Sequence, residues 1–144
     1  MNINLEYVKY KNKILAIILR KKYKSNQSEF FTPNNYSQQL GFLKFKKNHE
    51  IIPHYHNPIK RIVNYTRETL IIRSGAIRVD FYEKNKKYLK SRILKSGDII
   101  LLVSGGHGFH VFKKTDLVEI KQGPYNPKSD KNRFDKPKNI KLKF

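Results

Sequence analysis

The chain has 144 residues, 38% of them hydrophobic, enough for one ordinary domain with one core. It has no cysteine, which excludes a disulfide framework and thiolate metal sites and leaves His, Asp and Glu as candidate ligands. The formal charge of +20 raises the prior for an anionic partner, but the excess is lysine scattered along the chain, with no stripe of the kind that tracks nucleic acid. The longest apolar run, Ile14–Leu19, falls far short of a bilayer span and sits between Lys13 and Arg20. No cleavable leader is recognisable, so a cytoplasmic protein with no membrane attachment is expected.

In chain order, residues 1–10 suggest an edge strand or arm, and Lys13–Arg20 reads as a buried strand bounded by charge. Glu29–Pro33 is a short strand stopped by proline, and Asn34–Ser37 has turn chemistry. Gln39–Lys46 alternates with period two, and Ile51–His56 continues in strand-like sequence. Asn57–Arg67 links this run to the next strand, Glu68–Arg73, which ends at the Ser74–Gly75 turn. Ala76–Glu83 alternates cleanly, with Ile77, Val79 and Phe81 on one face and Arg78, Asp80 and Tyr82 on the other. Tyr88–Leu94 returns from a lysine-rich hairpin tip with Leu89 and Ile93 expected inward, and Ser96–Asp98 turns. Ile99–Val103, His107–Phe112 and Leu117–Lys121 are three more strands. Residues 124–144 are rich in Asn, Asp, Lys and Pro and read as an extended tail, tied down by isolated residues such as Tyr125, Phe134 and Phe144. No amphipathic helix is evident. Short strands punctuated by turns predict an all-β fold over 1–123, followed by the tail.

The chemistry concentrates in two places. Pro53-His54-Tyr55-His56 carries two histidines one residue apart, which on a strand would point to the same face. Gly105-Gly106-His107-Gly108-Phe109 supplies a third imidazole, with His110 as an alternative of opposite parity. The ordered set of His54 and His56, Glu68 with Gly75, Gly97-Asp98, and Gly105 to Phe109 resembles the two motifs of the cupin superfamily. The resemblance runs roughly from Gly41 to Lys121. It departs from the family in the long Asn57–Arg67 insertion ahead of the glutamate, in Val103 where the family usually has proline, and in the spacing to the last histidine.

The resemblance implies a double-stranded jelly-roll barrel and a homodimer. It also implies a divalent transition metal (Zn, Fe, Mn or Ni) held by His54, His56, Glu68 and His107. Arg61, Phe109, His110, Glu119 and Tyr125 are the candidates for contacts to a small anionic or sugar-derived ligand. Three functional readings stay open. One is a metal-dependent oxygenase or isomerase, one a metal-free protein that modifies nucleotide sugars, and one a non-catalytic binding or sensor module. No phosphate loop, nucleophile elbow or Cys/His pair offers another chemistry.

Overall fold

The computed structural model describes residues 3–144, and among them all regular structure is β. No helix among them is long and apolar enough to cross a membrane. The chain forms two compact units: the residues up to Tyr23 together with Thr66–Phe144, and Lys24–Tyr65.

The larger unit holds eight strands. They are β1 (Leu5–Tyr10), β2 (Lys13–Leu19), β5 (Glu68–Ile72), β6 (Ala76–Tyr82), β7 (Tyr88–Lys95), β8 (Ile99–Leu102), β9 (Gly106–Val111) and β10 (Leu117–Lys121). Five of them form one antiparallel sheet in the order β1-β2-β8-β5-β10, and three form a second in the order β7-β6-β9. Each sheet is open, ending on β1 and β10 or on β7 and β9, so neither closes into a barrel.

The core lies between the two sheets. Val8, Ala16, Ile18, Leu70, Ile72, Ile100 and Leu102 come from the first sheet, and Ile77, Val79, Phe81 and Leu94 from the second. The period-two pattern explains this partition, because every second side chain of a strand faces the opposing sheet. One parity expectation fails. Leu89 packs on the core, but its inward companion is Leu94, while Ile93 is exposed. A register shift between Phe81 and Tyr82 places the extra residue on β7, and a bulge of this kind inverts the facing of everything beyond it.

Turns at positive φ join the strands. Gly75 (φ 80°), Gly97 (φ 87°) and Gly105 (φ 78°) all occupy the left-handed region that favours glycine. At Gly97 the turn is locked by Asp98. Its carboxylate accepts hydrogen bonds from the backbone N–H groups of Lys21 and Lys95 and pairs with the Arg20 guanidinium at 3.0 Å.

The smaller unit has one short hairpin, β3 (Glu29–Phe30) with β4 (Gly41–Phe42). Thr32 and Gln39 hydrogen-bond side chain to side chain across its loop, and the Gln39 amide also donates to the Tyr36 carbonyl at 2.8 Å. The strand expected over Gln39–Lys46 is realised only at Gly41–Phe42, and from Leu43 to Tyr65 the chain has no strand, although Ile51–His56 reads as one. Alternation supplies a face but no ladder partner, and Pro53 and Pro58 each remove a backbone donor.

The tail has no regular structure, yet it packs within the larger unit. Phe134 meets Tyr82 edge to face at 5.3 Å, and its ring lies where a side chain on Gly106 would stand. Near the end of the tail, the backbone of Lys143 bonds both Ser91 N–H (2.6 Å) and the Tyr88 hydroxyl (3.0 Å). This explains why Arg78, Asp80 and Tyr82, which alternation would leave wet, are buried. Arg78 donates two parallel bonds to Asp80 at 2.8 and 3.0 Å, and Ser91 donates to the same carboxylate. Burial would raise the Asp80 carboxyl, but Arg78 and Ser91 outweigh it and hold it below its ordinary value.

Candidate functional site

The centre of the site is a contact between the sheets. Glu68 opens β5, and its side chain shares a face with Leu70 and Ile72, toward the core. His107 lies near the start of β9, opposite Phe81, and faces inward from the other sheet. Gly105 sets this up. Its positive φ turns the chain out of β8 and into β9, so His107 emerges at one end of the sandwich facing Glu68. Arg67 N–H donates to Gln122 Oε1 at 2.8 Å and fixes the start of β5 beside the end of β10.

Three side chains meet there. His107 Nε2 lies 3.0 Å from Glu68 Oε2, and Lys131 Nζ lies 3.1 Å from Glu68 Oε1. Each carboxylate oxygen therefore has its own donor. Glu68 is only 5% exposed, so its charge would be costly without these partners. The His107 hydrogen bond acts most strongly on its acidity. With help from Lys131, and against the opposing effect of burial, it brings the Glu68 carboxyl down from 4.5 to about 2. The same contact raises the Lys131 ammonium above its ordinary value. Glu68 is thus a permanent carboxylate near neutral pH.

A carboxylate that accepts from Nε2 holds the imidazole in one orientation, and in the neutral ring Nδ1 then carries the lone pair. His107 Nδ1 has no protein partner among the described residues. The ring is neither sealed in nor fully open: its side chain is 29% exposed. That combination, an oriented imidazole with one free nitrogen at a wet boundary, suits proton transfer or the holding of a ligand hydroxyl.

The other sequence candidates lie as follows. Phe109 stands beside His107, with ring centroids 5.4 Å apart, and is half exposed. His110 falls on the opposite face of β9, across from Arg78, and meets Phe112 edge to face at 5.1 Å. Glu119 pairs with Lys121 on β10, and the Lys121 ammonium sits 4.6 Å above the Tyr125 ring. His54 and His56 belong to the smaller unit and are exposed, in the stretch without strand structure. Their rings meet edge to face at 5.3 Å, and His54 Nδ1 lies 2.9 Å from the Ile52 carbonyl. Arg61 is exposed in the same stretch.

Among the described residues, no three His, Asp or Glu side chains gather closely enough to hold a metal ion. The donors that do meet are one imidazole and one carboxylate, and the carboxylate is already bonded on both oxygens. As placed, this pair is too small a donor set for a metal centre. Lys131 is the member that sequence reasoning misses. It lies in a polar tail that reads only as extended, and nothing local marks it out from the other tail lysines.

Comparisons with protein-family models, with curated proteins and with solved structures return no match.

Proposed function

We propose that this protein is a cupin-like binding protein or isomerase for a small sugar-derived ligand, working without a metal through the Glu68–His107 pair. The observation that carries the reading is the 3.0 Å contact between an ionised, buried carboxylate and an imidazole whose other nitrogen is free. In an isomerisation, His107 Nδ1 takes a proton from a carbon beside a ligand carbonyl. The electron pair left on carbon delocalises into the carbonyl oxygen as an enolate. Where that carbon also bears a hydroxyl, the hydroxyl proton passes to the enolate oxygen and the carbon proton returns to the former carbonyl carbon, so the carbonyl moves one position with no oxidant or reductant consumed. Glu68 stays ionised throughout and stabilises the transient imidazolium, and Phe109 supplies an apolar wall for a sugar ring.

Strand order supports the cupin-like part of the reading. In an eight-stranded jelly roll the last six strands take the orders sixth-third-eighth and fifth-fourth-seventh. Here β8-β5-β10 and β7-β6-β9 follow the same two orders.

The test is a thermal-shift screen of nucleoside-diphosphate sugars against the full chain. At least one should raise Tm by about 3–5 °C at a concentration near ten times Kd, and His107→Gln should lose most of that shift. Absence of any stabilising sugar, or equal stabilisation of His107→Gln, would refute the reading. So would one tightly bound metal per chain that His107→Ala removes.

A further inference from the structure

A buried carboxylate must find a cation, and in this chain the cation comes from a surprising place. Neither neighbouring strand gives Glu68 a lysine at hydrogen-bond distance. Lys121 is directly opposite it in register, but its ammonium turns away to Glu119 (3.4 Å) and to the face of Tyr125 (4.6 Å). The ammonium that reaches Glu68 is Lys131, from a segment with no strand and no helix.

That segment is built to deliver it. Immediately before Lys131, Asn126 and Asp130 close a turn. The Asn126 carbonyl accepts from Asp130 N–H at 3.0 Å, Asp130 Oδ2 accepts from Asn126 N–H at 3.0 Å, and Asn126 Oδ1 accepts from Lys128 N–H at 3.0 Å. Just after Lys131, Phe134 is pinned on Tyr82 over Gly106. Lys136 then reaches a second buried carboxylate, Asp80, at 3.8 Å. The tail is therefore a strap with two lysines resting on two buried acids. The two positions differ in chemistry. Asp80 is already matched by a bidentate arginine, so Lys136 adds little there. Among the described residues Glu68 meets no arginine, and Lys131 is the only ammonium that reaches it.

We propose that Glu68 Oε1 is a seat for an alkylammonium group. Lys131 fills it in cis, and the ammonium of an amine-bearing ligand competes with Lys131 for that oxygen. This deepens the reading of Glu68–His107 as the functional centre by naming a group its ligand carries, and it rests on that reading. The seat has two features such a group needs: a carboxylate held ionised, and an oxygen bonded apart from the one His107 uses. The Lys131 side chain that fills it is 40% exposed, so the buried carboxylate is reached from the surface along that side chain. A cation bound there leaves His107 Nδ1 free, so amine recognition and proton transfer occupy different atoms of one site.

The experiment is chemical rescue in the full chain. Lys131→Ala removes the cis ammonium, and thermal unfolding is followed in propylammonium chloride and in potassium chloride at matched ionic strength. Propylammonium should raise the Tm of Lys131→Ala by about 3–5 °C over the potassium control near ten times Kd. It should leave the wild-type Tm unchanged, and the Glu68→Gln/Lys131→Ala double variant should not respond. No rescue, or equal shifts in all three proteins, would overturn the proposal. A second measurement needs no loss of Lys131. Trace acylation of the native chain should modify Lys131 several-fold more slowly than Lys138 or Lys141, and Glu68→Gln should remove that protection. Equal rates in the native chain would overturn the proposal too. These outcomes are separable from the fate of the proton-transfer reading. Rescue can succeed while His107→Gln leaves sugar binding untouched, and it can fail while His107→Gln abolishes it.

Discussion

Replacing Glu68 with glutamine removes the one charge that both His107 and Lys131 address. The folded chain holds this carboxyl at about 2 against an ordinary 4.5, first through His107. A group whose pKa is depressed on folding stabilises the native state above its unfolded value. That stabilisation drains away as pH falls toward the folded value. The window here runs from pH 4.5 down to about 2. At about 1.4 kcal/mol per pH unit, the gap corresponds to about 3 kcal/mol. Little of it is lost to solvent screening, because the side chain is buried. The assay is urea unfolding of wild type and Glu68→Gln, followed by circular dichroism from pH 7 to pH 2. Asp80 and the surface acids titrate in both proteins, so the difference between the two curves isolates Glu68. Wild type should be the more stable above pH 5 by about 1–3 kcal/mol, since glutamine keeps an acceptor for one of the two donors. That pH-dependent advantage should shrink to about 0.4 kcal/mol at pH 2. Parallel curves through the acid window would show that Glu68 is not held as a carboxylate by His107 and Lys131.

The other variants probe what surrounds the site. Asp80→Asn leaves Arg78 buried without its carboxylate and should cost about 3–5 kcal/mol in urea unfolding, whereas Arg78→Met/Asp80→Leu should recover most of that loss. A single-variant cost below about 1 kcal/mol would mean that the pair is solvated when the tail moves. Gly75→Ala should lose about 1–3 kcal/mol. The residue sits at φ 80°, and the added Cβ would come within 2.8 Å of Thr115 Cα. An unchanged Tm would place that turn in a different conformation.

The strands of the larger unit were legible because their signals are local. Ile77, Val79 and Phe81 alternate without interruption, and Gly75 and Gly97 mark the turns that bound their neighbours. Where a longer-range event intervenes, the pattern misleads. The bulge opposite Phe81–Tyr82 adds one residue to β7, so counting by twos from Leu89 arrives at Ile93, when the core contains Leu94. Around His54 and His56, alternation and β-branched residues read as strand, but a strand exists only where another supplies its ladder. Nothing in residues 43–65 says whether one does.

Lys131 is the sharper case, because the obstacle was composition. A lysine-rich, proline-containing segment with few apolar residues cannot bury enough surface to order itself, and it reads as an extended tail with no lysine singled out. What orders it here is the rest of the chain. The sequence has 31 Lys and Arg against 11 Asp and Glu, so a cation is always at hand and a carboxylate is the scarce partner. Two of those scarce carboxylates are buried, Glu68 by strand parity and Asp80 beneath the tail. A tail lysine then gains far more by reaching Glu68 than by forming a surface pair, which is worth at most about 1 kcal/mol. In this chain the acids decide which lysines matter, and the place to look for a specific cation is opposite a buried carboxylate that no arginine has claimed.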